Sequence, residues 1–322
     1  MKKRNNYVGI DISKLTFDAA ICDTENKYKY FKFTNNNEGF VLFLKLLNAS
    51  ESICVMEASG PYYLKLATFL SEKGIRVCVI NPLVIRRFSQ MRMSRAKTDK
   101  KDAMLIAEYG KTEKPKLWIP EANYLLELKQ MQAYLEQLNK NRTGFLRQKE
   151  AFKQNPIQSL QVANSIETLL EKIELEINVI EKNMELLIQT YHKEMFNHLQ
   201  SIPGLGRKTS LFLIVISGGF SKFENHKQLA SYIGISPRIF ESGTSVKGRS
   251  KICKMGMSKI RAMLYVCAWS AKRHNKSCKE LYDRLVENGK SKKLALIAVV
   301  NKLIKIAFAI ATKKEYYLVK IN

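Results

Sequence analysis

The sequence predicts an N-terminal α/β domain, then a long helical hairpin, then a mainly helical C-terminal region. Five short strand-like runs before residue 81 alternate with segments of helical spacing. From about 121 to 195, apolar residues recur every three or four positions. Beyond 199 the chain is mostly helical, apart from a Gly-, Ser- and Lys-rich stretch at 236–256. The expected divisions are 1–118, 119–198 and 199–322. A chain of 322 residues that is 46% hydrophobic can build two or three buried cores.

YVGIDI, at 7–12, reads as a parallel-sheet strand buried on both faces, with Asp11 inside it. LTFDAAIC and YKYFKF follow as two more strands, joined by the polar turn DTENK. GFVLFLKLL has helical spacing. SICVMEA returns to strand character and carries Glu57 near its end. A helix over about 62–72 stops at Gly74, and the strand IRVCVI runs into Asn81-Pro82.

In the middle region, Leu128, Met131, Leu135 and Leu138 follow a three-four spacing. Ile166, Leu170, Ile173, Ile177, Ile180, Met184, Leu187 and Tyr191 follow it more strictly. Two long helices broken near Asn155-Pro156 would pack as a coiled-coil hairpin. The same seam fits an internal core, a dimer contact or an RNA-holding arm. In SIPGLGRKTSLFLI, at 201–214, Gly204 and Gly206 bracket Leu205 before an apolar helix. That is the shape of a helix-hairpin-helix turn, whose amides can hold a phosphate, and equally of a plain helix start.

Charge narrows the partners. Lys plus Arg number 54 against 29 Asp plus Glu, a formal net charge of +25. Such self-repulsion is relieved by a polyanion, of which nucleic acid is the commonest. A membrane surface fits less well, because the cations are spread along the chain and not gathered beside an apolar anchor. LALIAVVNKLIKIAFAI, at 294–310, is interrupted by Asn301, Lys302 and Lys305 and reads as a packed helix. No apolar leader follows MKKRNN, so a cytoplasmic location without a membrane is expected. Cys22, Cys54, Cys78, Cys253, Cys267 and Cys278 show no metal-ligand spacing. They read as small hydrophobes in a reducing compartment. His192, His198, His226 and His274 form no zinc pattern with them.

Four acids stand out. A charge within a buried strand costs several kcal/mol, on the order of 3, unless it is paired, so Asp11 needs an explanation. Glu57 ends another strand, and neighbouring strands would bring both acids to one sheet edge. Asp99 and Asp102, in RAKTDKKDA at 95–103, are three apart and share one helix face. Gathered together, four carboxylates would raise one another's pKa until a cation neutralised them. An all-oxygen set suits Mg2+. Arg86, Arg87, Arg92, Arg95, Lys97, Lys100 and Lys101 would then steer a phosphate backbone toward the ion. The plainer alternative makes Asp99 a helix cap and leaves both acids in ordinary ion pairs with Lys97 and Lys101.

The stretch 234–271 holds Ser242-Gly243 among Arg238, Lys247, Arg249, Lys251 and Lys254, ahead of a helix bearing Arg261. A serine hydroxyl attacks only with a base or a strongly polarised phosphate beside it, and no histidine is near in sequence. On spacing alone Ser242 is a turn residue, with Ser245 and Ser250 equally eligible.

The order GIDISK, MEASG, KTDKKDA resembles the DEDD-type, ribonuclease-H-like domain of the transposases of the insertion sequence 110 group. The later SIPGLG turn, the serine-glycine pair, KGRSKICKMG and the arginine-bearing helix are similar to that group's second domain. The resemblance implies a resolvase-like fold in which Asp11, Glu57, Asp99 and Asp102 bind Mg2+. It also implies that Ser242 is the nucleophile that becomes linked to DNA. Further implications are insertion and excision of a mobile element on double-stranded DNA, a structured guide (bridge) RNA that selects target and donor, and a dimer or tetramer. Thr244 stands where a second glycine is frequent, and Ile260 where a leucine is usual. Two other functions remain open from the residues: a Mg2+-dependent junction resolvase or nuclease that uses water, and a non-enzymatic nucleic-acid-binding protein.

Overall fold

The computed structural model describes residues 6–22, 27–93, 98–238, 241–242, 246–247 and 251–318. The chain forms two compact units, Met1–Pro120 and Glu121–Asn322.

The first unit contains β1 (Asn6–Ile12), β2 (Thr16–Cys22), β3 (Tyr28–Thr34), α1 (Asn37–Leu44), β4 (Ser52–Glu57), α2 (Tyr63–Glu72), β5 (Arg76–Ile80), α3 (Pro82–Met91) and α4 (Asp99–Glu113). The strands make one mixed sheet in the order β3-β2-β1-β4-β5. β1 runs antiparallel to β2 and parallel to β4. The expectation that β1 lies within a parallel sheet is therefore half right. The short link between β1 and β2 permits only an antiparallel pair, whereas the helical crossover before β4 permits a parallel one.

Each face of the sheet has its own core. On one, Val8, Ile10 and Phe17 pack with Phe40 and Phe43 of α1 and Leu66 and Leu70 of α2. On the other, Val55 and Cys78 pack with Ile85 of α3 and Ile106 of α4. Local chemistry starts the helices. Asn36 accepts a hydrogen bond from the Gly39 amide and Asn81 one from the Leu83 amide, with Pro82 in the first turn of α3. Thr98, not Asp99, is the N-cap of α4, its hydroxyl accepting from the Lys101 amide. Asp99 is thereby left in the first turn with its carboxylate unspent on capping.

The second unit contains α5 (Asn123–Phe152), α6 (Leu160–Gln200), α7 (Arg207–Ser217), α8 (His226–Ile233), the two-residue strands β6 (Pro237–Arg238), β7 (Glu241–Ser242), β8 (Val246–Lys247) and β9 (Lys251–Ile252), then α9 (Ser258–His274), α10 (Lys276–Glu287) and α11 (Lys292–Lys313). The break between α5 and α6 falls at Asn155-Pro156, as expected. Lys149 pairs with Glu167, Arg142 with Glu174, and Tyr124 with His192. Partners approach in sequence as the turn nears, which is the signature of an antiparallel hairpin. Its seam buries Leu128, Leu135, Leu138, Ile166, Ile177 and Met184, while Tyr191 of the expected set is exposed and stacks on Tyr124. Most of these side chains belong to the same apolar cluster as α7, α8, α9 and α11. α11 is long and apolar enough to cross a membrane, yet Leu296, Val299, Val300, Leu303 and Ile304 are buried in that cluster.

Candidate active site

Strand register assembles most of the site. Asp11 lies directly opposite Asp18 of β2, and Asp18 lies opposite Lys32 of β3. The parallel register that pairs Ile10 with Met56 brings Glu57 alongside Asp11. Residues opposite one another across a sheet share a face. One row of that face therefore reads Lys32, Asp18, Asp11, Glu57.

Helix α4 lies over this face because Gly9 lets it. A Cβ placed on Gly9 would stand 2.0 Å from the Ala103 carbonyl oxygen and 2.2 Å from the Ala107 nitrogen. A Cβ on Gly110 would stand 2.6 Å from Val55. Two glycines thus seat the helix backbone on the sheet, and its buried face is Ala103, Ile106, Ala107 and Gly110. Asp99 and Asp102, one turn earlier, are delivered to the end of β1 that carries Asp11.

The electrostatics record the convergence. The Asp11 carboxyl is pushed up from 3.8 to about 6, first by burial and then by the charges of Asp102, Glu57, Asp99 and Asp18. The other three acids singled out in the sequence therefore all act on Asp11, joined by Asp18. That fifth carboxylate is buried, at 4% exposure. Tyr30 donates a hydrogen bond from its hydroxyl to Asp18, and this bond, then burial and the nearby acids push the phenol up to about 12. Lys32 Nζ stands 3.9 Å from Asp18 and 3.9 Å from Asp99. Glu57 accepts a hydrogen bond from Ser59 at 2.9 Å.

The donor set is all oxygen and mutually repelling, which fits a hard divalent cation. Among the described residues, no three His, Cys, Asp or Glu side chains are gathered closely enough to hold an ion. The carboxylates are neighbours in charge, and their side chains would still have to close on an ion.

Of the cations expected to steer a phosphate backbone, Arg86, Arg87 and Lys101 are exposed. Arg87 also donates to Gln90 at 2.9 Å. Arg92 pairs with Glu108 at 2.7 Å and lies over the Phe88 ring, so its charge is already matched. Lys100 lies over the Tyr30 ring. Arg95 and Lys97 lie outside the described residues.

Ser242 belongs to the second unit. It pairs with Val246 in the two-residue β7–β8 ladder, one position beyond the Glu241–Lys247 pair. Arg238 pairs with Lys251 in the β6–β9 ladder, and Lys247 pairs with Glu241. Arg249 lies outside the described residues. Arg261 of α9 donates to the Ile233 carbonyl at 2.9 Å and so ties α9 to the end of α8. Lys254 is exposed, with φ 56°, and its amide bonds to Gly234. A Cβ on Gly256 would stand 2.4 Å from the Tyr232 carbonyl oxygen. The KMG turn is therefore packed against the end of α8.

At the PGLG turn, Gly204 has φ 96° and a Cβ there would meet Ala271 of α9 at 2.6 Å. Gly206 is the N-cap residue of α7, with open space beside it. The adjoining Arg207 and Lys208 pair with Glu185 and Glu181 of α6. Those two charges serve the packing of α7 on the hairpin.

Two family models cover most of these features. One, described as "Transposase" and built on the DEDD domain of the IS110 group, matches residues 8–154. Another, "Transposase IS116/IS110/IS902 family", matches residues 196–283. A pilin gene-inverting protein of Moraxella bovis is 34% identical, covering 94% of this chain and 95% of its own length. This chain belongs to the IS110 family of transposases.

The Moraxella lacunata pilin gene-inverting protein is similar at 33% identity, with 94% of this chain and 95% of the relative covered. The IS1111A transposase of Coxiella burnetii is 24% identical over 96% of this chain and 90% of its own. Membership supports an enzyme that acts on DNA. The first match contains all four acids and the second contains Ser242 and Arg261. Neither sequence spacing nor composition singled out Asp18, Tyr30 or Lys32. Asp18 sits in TFDAAIC, an acid within an apolar strand, and the argument applied to Asp11 would have found it.

Proposed function

We propose that the protein is a DNA recombinase that excises and inserts a mobile element, with Ser242 as nucleophile and Asp11, Glu57, Asp99 and Asp102 as ligands for Mg2+. The observation that carries this reading is the raised Asp11 carboxyl within a cross-strand row of acids under the first turn of α4. Such repulsion persists in a fold when a bound cation relieves it. When bound, a divalent ion would polarise the scissile phosphate and stabilise the departing oxygen.

Ser242 Oγ then forms the bond to phosphorus as the bond to one sugar oxygen breaks. The seryl proton leaves to solvent or a base, and the cut strand keeps a free hydroxyl. The reverse step rejoins strands without an external energy source. Exposed Arg86, Arg87 and Lys101 meet the DNA backbone, and the basic β6–β9 segment serves the same purpose beside Ser242.

Target and donor choice by a structured guide RNA, and a dimer or tetramer that holds several cuts together, complete the reading. The relatives named for inverting a pilin gene make inversion of a flanked segment a second outcome of the same chemistry. A denaturing gel for protein–DNA adducts tests the proposal. Wild type should give a covalent adduct that Ser242→Ala loses. Cleavage to free phosphate ends without any adduct would make the protein a hydrolytic nuclease instead.

A further inference from the structure

The Asp18–Lys32 pair has no part in the chemistry above, and its construction is unusual. Asp18 is a nearly fully buried carboxylate in the middle of β2. A buried anion without a partner is strongly disfavoured. One of its oxygens is taken by the Tyr30 hydroxyl. The other faces Lys32, its direct cross-strand neighbour, at 3.9 Å. The Lys32 ammonium is equally far, 3.9 Å, from Asp99, which is 67% exposed and on a different element. A half-exposed lysine is thus pinned from below and set beside one of the four acids.

We propose that Lys32, aimed by Asp18 and Tyr30, is the built-in counter-ion of the carboxylate site. It balances Asp99 while the site is free of ions and opposes the entry of a divalent cation, and so sets the ion affinity. This rests on the reading that the acids bind a divalent ion. An ammonium fixed within a few ångströms of a carboxylate repels a second cation arriving there. At the screening of a partly exposed site, that repulsion amounts to about a three- to tenfold loss of affinity. Lys32 is a positioning residue, since it touches a proposed ligand and not the reacting strand.

The experiment uses the full chain and Mn2+, with free ion counted by electron paramagnetic resonance. Wild type should bind, and Asp11→Asn should bind far more weakly. A wild type that does not bind Mn2+ overturns the ion-site reading itself. Given binding, Lys32→Met should bind Mn2+ about three- to tenfold more tightly, and Lys32→Arg should stay close to wild type. The same Lys32→Met protein in EDTA should unfold at a lower denaturant concentration, because Asp18 has lost its counter-charge. Unchanged or weaker Mn2+ binding in Lys32→Met, with wild type binding normally, would overturn the inference and make the pair an ordinary salt bridge.

Discussion

Replacing Asp11 with Asn should make the protein more stable and inactive at once. In the fold the Asp11 carboxyl is raised from 3.8 to about 6 by burial and by four neighbouring acids. A carboxyl raised in the fold is favoured there as the neutral acid. Its contribution to stability is fully present below about pH 4 and is lost as pH rises through about 6. The rise from 3.8 to about 6 corresponds to about 3 kcal/mol. The side chain is partly exposed, and solvent screening lowers this to about 1–2 kcal/mol. Above pH 7, without divalent ions, Asp11→Asn should therefore gain about 1–2 kcal/mol, or ~4–8 °C in Tm for a unit of this size.

The two tryptophans make the assay specific. Trp118 packs on the sheet of the first unit, its amide bonded to Val77 at 2.7 Å, and Trp269 lies in α9 of the second. In a Trp269→Phe background, tryptophan fluorescence during urea unfolding in EDTA follows the first unit alone. The gain should vanish at pH 4. Added Mg2+ should raise the midpoint of the Asp11 protein and leave Asp11→Asn unmoved. A destabilised Asp11→Asn at pH 7.5, or a gain that persists at pH 4, would refute the claim that the acids crowd one another.

Further perturbations test the scaffold. Gly9→Ala places a Cβ against the Ala103 and Ala107 backbone and should cost roughly 3 kcal/mol or more by lifting α4, read by the same Trp118 transition. Activity should fall with it, although no acid has changed. Gly204→Ala combines φ 96° with a clash at Ala271 and should cost about 2–4 kcal/mol, seen through Trp269 in a Trp118→Phe protein. Arg261→Met removes the bond to the Ile233 carbonyl and should cost about 1–2 kcal/mol in the same assay. Arg142→Ala, by contrast, breaks an exposed ion pair with Glu174 on the hairpin and should change stability by under about 1 kcal/mol.

How much of this was legible in the chain depends on the range of the interaction. Strand and helix identities were, because alternation, three-four spacing and breakers such as Gly74 and Asn81-Pro82 act on neighbours in sequence. The long seam from Ile166 to Met184 was visible for the same reason. Asp11 was conspicuous as a charge in an apolar strand, and its three partners became convincing once the ordered motifs resembled a known family.

Only the tertiary structure decided which acids share a face of the sheet. The row Lys32–Asp18–Asp11–Glu57 exists because of register between strands, and a slip of one residue would turn each side chain to the other face. Gly9 looked unremarkable until a helix lay across it. The cations tell the same story: Arg92, Arg207 and Lys208 resemble Arg86 and Arg87 in sequence, yet each is matched to a carboxylate on another helix. A charge is available to a ligand only if the fold has not already paired it, and that pairing is set by distances between residues far apart along the chain.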